Sequence, residues 1–382
     1  MLPDSFVYFD RLPERSIGEL ESFREAGGMV VGIYCIYAPV ELIRAAGAIP
    51  VGLCGKQEAP IQHAEKELPS NLCPLIKSSY GYAVSDSCPF FSLADLVVGE
   101  TTCDGKKKMY EFLARCKPLY LMHLPYAQNL SGAEAFWRNE VQRFSNFLAT
   151  KTGIVATEER ISHQIRLHNK MRQEMQRVVS LATEPRSPLA ALHLMTILES
   201  KSFVVDLEAY IRHLSTLRLE LEEIIANSSP ADNGSPSRIL LTGCPIGKGC
   251  EKVLRLVEEA GASVVCMENC TGMKSVLRMI PEDGDPIKAV ADRYLGIPCS
   301  CMTPNTGRFE TIQRLANDFK IDGIIDMTWQ FCHTYHIESH VIQRKVRDTL
   351  GVPFLHLVTD YSTSDTEQLR TRIEAFLEVA AN

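Results

Sequence analysis

Hydrophobic spacing switches twice along this 382-residue chain, and the switch limits the folds open to it. Between residues 29 and 124, short β-branched runs alternate with stretches of helical spacing. MVVGIY (29–34), IPVGL (49–53), ADLVVGE (94–100) and PLYLMHL (118–124) read as strands. APVELIRAAGA (38–48), CPLIKSSYGYAV (73–84) and GKKKMYEFLARC (105–116) read as helices, the second opened by Pro74, which suits a first helical turn. From about 131 to 227 only the 3.6-residue period remains, with no strand signal. NSSPADNGSPS (227–237) has linker composition. Alternation then returns: RILLTG (238–243), SVVCM (263–267), DGIIDMT (322–328) and PFLHLVT (353–359) read as strands. KGCEKVLRLVEEAG (248–261), HTYHIESHVIQRKVRDTLG (333–351) and SDTEQLRTRIEAFLEVAA (364–381) read as helices.

Strands separated by helices of this length build βαβ units and parallel sheets. The expectation is therefore an α/β protein with two Rossmann-like or flavodoxin-like parallel-sheet domains, over 1–130 and 238–382, and a helical insert or cap over 131–230. A hydrophobic fraction of 45% and a charged fraction of 23% suit a folded chain with a sizeable core. Forty basic against 47 acidic residues leave a net charge of −7, which offers no field for nucleic acid or membrane phosphates. No apolar run approaches the length of a spanning helix. The start, MLPDSFVYFDRLPERS, lacks the basic-then-apolar pattern of a secretory signal, so the expected location is the cytoplasm.

Cysteine is the unusual component: thirteen residues, too many and too odd a number for a disulfide framework in a reducing compartment. Their positions matter more than their number. Cys35, Cys103, Cys244, Cys270 and Cys332 each follow an expected strand, at the sheet edge where open parallel sheets bind ligands. Cys73 sits at an expected helix N-terminus, where the dipole favours thiolate. Cys299 and Cys301 lie in the loop PCSCMTPN. Buried packing cysteines would favour strand middles and helix faces instead. Thiolate-rich sites take zinc, copper(I) or iron–sulfur clusters. Structural zinc usually shows close C-x₂₋₄-C pairs; dispersed single thiolates suit a cluster in a cleft better. Spacing leaves iron–sulfur, zinc and merely structural cysteines all open.

The motifs YCIYAPVELIRAAGAIPVGLC, NLCPLIKSSYG, DLVVGETTCDGKKKMYE, LLTGCPIG, ENCTG, YLGIPCSCMTPN, DGIIDMTWQFCHTY and VTDYS together resemble the 2-hydroxyacyl-CoA dehydratase family, most closely its double-cubane cluster branch. The resemblance runs from about residue 29 to 380 and is weak over 131–230. It implies an ATP-dependent reductase component that reduces a small-molecule substrate at a double cubane of two [4Fe–4S] units bridged by sulfide. Cys73, Cys103 and Cys332 match the three ligands of a single-cubane subunit. Cys35, Cys270 and Cys301 are the implied second trio, with Cys299 or Cys244 as substitutes for the last. The resemblance also implies a separate ATP-hydrolysing iron–sulfur activator and a homodimer. This chain has no G-x-x-x-x-G-K-[ST] loop, so ATP is expected on the activator. The alternatives are a dehydratase subunit with one [4Fe–4S] cluster, a non-enzymatic electron carrier and a structural zinc protein.

Other residues have plainer roles available. Cys54, Cys88, Cys116, Cys250 and Cys266 read as packing or surface thiols. Lys77, Ser78 and Ser79 could contact cluster sulfur or an anion, or simply cap a helix. Lys106, Lys107 and Lys108 at the positive end of a helix suggest an anionic neighbour, or a solvated face. His333 and His336 beside Cys332 could donate protons or hold structural hydrogen bonds. Asp360 and Tyr361 stand at the end of the last core strand with no assigned role.

Overall fold

The computed structural model describes residues 2–53, 55–228 and 236–380; Cys54 and most of the expected linker lie outside them. Two four-stranded sheets form the frame. In the first, β1 (Val30–Ile33), β2 (Ile49–Gly52), β3 (Leu96–Glu100) and β4 (Leu119–Met122) lie in the order β2-β1-β3-β4. In the second, β5 (Arg238–Gly243), β6 (Ser263–Glu268), β7 (Gly323–Trp329) and β8 (Phe354–Thr359) lie in the order β6-β5-β7-β8. Every pairing is parallel. Each half thus repeats one topology, and in each the winding reverses beside its first strand. β3 and β7 are buried along their whole length, as sheets covered on both faces require.

The helices of the first half are α1 (Phe6–Asp10), α2 (Leu12–Glu25), α3 (Val40–Ala45), α4 (Ile61–Ala64), α5 (Pro74–Val84), α6 (Pro89–Leu93) and α7 (Asp104–Leu113). Next come α8 (Ala133–Thr152), α9 (Glu158–Ser180), α10 (Ala191–Ser200) and α11 (Leu207–Asn227), with no strand among the described residues from Leu124 to Ser237. The second half carries α12 (Lys252–Glu259), α13 (Pro286–Leu295), α14 (Thr306–Asp318), α15 (His333–Thr349) and α16 (Thr366–Ala380).

Within the stretch of helical period, the last helix starts at Leu207. Asp206 caps it by accepting the Ala209 N–H at 2.9 Å. α13 and α14, which hydrophobic spacing did not single out, fill the connection between β6 and β7. The start of α13 was nonetheless legible: Asp285 caps it through Lys288 N–H at 3.0 Å, with Pro286 in the first turn.

Long-range contacts bring the two cysteine-bearing edges together. The Tyr37 hydroxyl donates to the Ile297 carbonyl at 2.9 Å, and Gln128 Nε2 donates to the carbonyls of Leu295 and Ile297, both at 2.8 Å. Thr303 N–H bonds the Tyr126 carbonyl at 2.8 Å, and the Tyr361 hydroxyl bonds the Gly55 carbonyl at 3.2 Å. The helical region joins this seam. Trp137 of α8 is fully buried and its Nε1 donates to the Ala291 carbonyl of α13 at 3.1 Å. No helix among the described residues is long and apolar enough to cross a membrane.

Candidate functional site: a cysteine-lined cavity

A cavity of about 420 Å³ opens where the carboxyl ends of the two sheets meet. Eight cysteines line it: Cys35, Cys73, Cys103, Cys244, Cys270, Cys299, Cys301 and Cys332. Cys35 follows β1, Cys103 follows β3, Cys244 follows β5 and Cys332 follows β7, so four of the eight flank the two points where strand order reverses. Such reversals leave a crevice because the loops on either side diverge. All six expected ligands stand in one place, together with both expected substitutes.

Seven of the eight fall into two neighbouring groups. Hydrogen bonding from Cys244 and Cys73 reaches the Cys332 sulfur and holds it well below the usual thiol range. Cys73 and Cys244 move the other way, Cys73 through that bond and then burial, Cys244 mainly through burial. On the other side, Cys301 bonds Cys299 and draws it down to about 6, against burial and with help from Lys274 and Lys106. Burial pushes Cys35 up, and Cys270 and Cys299 are among the charges that act on it. Cys103 lies between the groups, influenced by both Cys332 and Cys299. Among the described residues no group of three or more His, Cys, Asp or Glu side chains is gathered tightly enough to hold a single metal ion.

Backbone geometry aims these sulfurs. Gly243 has φ +109, and a Cβ there would meet the Met327 carbonyl oxygen at 2.1 Å, so the turn that presents Cys244 requires glycine. Phe331 sits in the left-handed region with φ +61, immediately before Cys332 caps α15.

A buried charge network lies beneath the edge. Arg308 bonds Asp326 of β7 and Thr242 of β5, both at 3.0 Å, and Glu338 of α15 at 2.6 Å. It lies 3.5 Å from Glu268 of β6. Lys274 pairs with Glu268 at 3.0 Å and donates to the Tyr335 hydroxyl at 3.1 Å. Sequence reading missed this network, because its members are separated by tens of residues and carry no local pattern.

The remaining expectations divide. Lys106 lines the cavity, 4.0 Å from Glu100, whereas Lys107 pairs with Asp104 at 2.6 Å and Lys108 with Glu111 at 2.7 Å on the outside. Lys77 bonds Glu65 at 2.7 Å, and Ser78 and Ser79 bond the carbonyls of Gln57 and Leu75, both at 2.7 Å, so all three are structural. His333 lines the cavity, while His336 stacks edge-on to His356. Asp360 accepts from Ser362, and Tyr361 packs on Trp329. Cys250 and Cys266 are buried and Cys116 is exposed, away from the eight.

Comparison with known proteins then fixes the relationship. The sequence profile of the 2-hydroxyglutaryl-CoA dehydratase D-component matches residues 35–380. The chain belongs to the 2-hydroxyacyl-CoA dehydratase family. It is 40% identical over 378 residues to the putative dehydratase subunit YjiM of Escherichia coli (strain K12), covering 99% of this chain and 98% of that one. It is 22% identical to the (R)-phenyllactyl-CoA dehydratase beta subunit of Clostridium sporogenes, covering 94% of each. It is 23% identical to the beta subunit of (R)-2-hydroxyglutaryl-CoA dehydratase from Acidaminococcus fermentans, again covering 94% of each. These dehydratase-family relatives run nearly the full length of the chain, so the cavity and both sheets fall within the shared region.

Proposed function

We propose that this chain is a reductase component that holds a double-cubane iron–sulfur cluster in the cysteine-lined cavity, is charged by a separate ATP-hydrolysing activator and reduces a small molecule. The observation that carries the reading is eight cysteines lining one cavity. The donor chemistry fits the cofactor. Cubane irons are held by cysteine thiolates, one to an iron. Such ligands surround a volume and do not converge on a point. When bound, such a centre supplies electrons at low potential.

The chain's own residues would do the rest. Cys73, Cys103 and Cys332 hold one cubane, with Cys244 beside them. Cys35, Cys270 and Cys301 hold the other, with Cys299 beside Cys301. Lys106 and Lys274 offset thiolate charge on the second side, where both act on Cys299. The Tyr335 hydroxyl, held by Lys274 at 3.1 Å, and His333 line the cavity and can present protons to a substrate there. A homodimer and the activator are the proposed partners.

The second reading is a dehydratase subunit with one [4Fe–4S] cluster, favoured by the beta-subunit names of the relatives. Ser substitutions separate the two. If the double cubane is correct, C35S or C270S loses about half of the bound iron and C73S or C332S destroys the remaining centre's ligand set. If C35S and C270S keep full iron and activator-dependent reduction, the single-cluster reading stands and the double cubane falls.

A further inference from the structure

The cavity carries more positive charge than its sulfur chemistry uses. Six lining residues are cationic, Arg44, Lys56, Lys106, Arg172, Lys201 and Arg293, against two acids, Asp104 and Glu199, in a chain of net charge −7. Both acids are taken: Glu199 pairs with Lys56 at 2.5 Å, and Asp104 pairs with Lys107 at 2.6 Å. Lys106 stands with the thiols, acting on Cys35 and Cys103.

The wall built by α3, α9 and α13 is different. The carboxylate beside its guanidiniums, Glu41, is fully buried and already committed. It bonds Arg172 through one oxygen and accepts the Tyr294 hydroxyl at 2.8 Å through the other. Arg293 is 5% exposed and has no carboxylate within 4.0 Å among the described residues. Its Nη2 donates to the Ser275 carbonyl at 2.6 Å, while its Nε is buried with no partner. Arg44 donates to the carbonyls of Val204 and Val205, and Asp206 acts on it only from beyond ion-pair distance. Among the described residues these three guanidiniums have one carboxylate, Glu41, within 4.0 Å. Burying such charge without a counter-charge is unfavourable, and burial does pull Arg293 down to about 10. The neighbouring lining is apolar, with Met171, Phe203, Val204 and Leu207.

We infer that this wall binds the carboxylate of a small organic acid, with Arg293 supplying the guanidinium and Arg44 the supporting charge. A planar guanidinium matches a carboxylate in shape as well as charge. The apolar side chains suit a short hydrocarbon body. Treating that acid as the substrate rests on the reductase reading; its binding does not.

The test is isothermal titration of the full-length, anaerobically purified protein with propionate, propionamide and inorganic phosphate, with iron per chain measured on the same samples. Propionate is expected to saturate at one per chain. Propionamide and phosphate should bind at least about tenfold more weakly. R293Q should lose propionate by about tenfold or more, with R293K recovering part of it and R44Q weakening it less. The inference is overturned if propionamide or phosphate binds as well as propionate, if R293Q with an unchanged circular dichroism spectrum binds like the parent, or if propionate gives no saturable heat. Should R293Q fail to fold, the propionate–propionamide comparison on the parent protein and R44Q still decide. Full iron without propionate binding rejects the carboxylate site alone; propionate binding without iron rejects the reductase reading alone.

Discussion

Replacing Arg308 by Met should destabilise the second sheet more than any surface change. The Arg308 side chain is fully buried and so are those of its partners Asp326 and Glu268. Burial would pull the guanidinium down, but Asp326 and Glu268 outweigh it and hold Arg308 well above its ordinary value. Without the guanidinium, Glu268 keeps Lys274 at 3.0 Å and the Thr242 hydroxyl at 2.6 Å. Asp326 keeps no cation, and its Oδ2 already lacks a hydrogen-bond partner. One buried carboxylate is thus stranded, which costs about 3–5 kcal/mol. At about 2–4 °C per kcal/mol for a large domain, R308M should unfold about 6–20 °C lower in a thermal scan followed by circular dichroism. Adding D326N removes the stranded charge and should restore about 1–3 kcal/mol of it. A fall equivalent to less than about 1 kcal/mol in R308M, or a double variant no better than the single, would refute the reasoning.

Two further outcomes follow from buried groups near the cavity. His168 is lowered from 6.5 to about 4, chiefly by burial, with Arg172 and Arg44 adding to it and Glu41 opposing. Its folded pKa lies below its unfolded one, so the unfolded chain takes up the proton first. Stability from this group is complete above 6.5 and is lost as pH falls toward 4, by about 3 kcal/mol; H168Q should flatten that part of a denaturation-midpoint profile, and an unchanged profile counts against it. G243A places a Cβ 2.1 Å from the Met327 carbonyl oxygen at φ +109, so it should cost about 2 kcal/mol or more and lower bound iron by displacing Cys244. Normal iron and an unchanged melting temperature in G243A would show that this turn does not position the thiol.

Much of the frame was legible because both sheets are buried and parallel. Their strands are apolar runs such as VVGI and GIIDMTW, which stand out against the helices around them. The cysteine edge was legible for the same reason: once the strands are placed, topology puts the residues after them at one rim. α2 and α14 were not, since their faces are polar enough that spacing alone does not mark them, and α1, five residues FVYFD, is too short to show a helical period. Nor was the grouping of Cys244 with Cys73 and Cys332, or of Cys299 with Cys301, Cys35 and Cys270. Those neighbours are set by how the halves dock through Tyr37, Gln128 and Tyr361, contacts between residues far apart in sequence. The charge on the α3, α9 and α13 wall is similarly a property of the packed chain.

Iron and acid-labile sulfide per chain, measured on the protein purified without oxygen, bear most directly on the cavity's occupant. The proposed double cubane predicts twice the iron and sulfide of a single [4Fe–4S] cubane. The content of one cubane, or zinc in place of iron, would contradict that account.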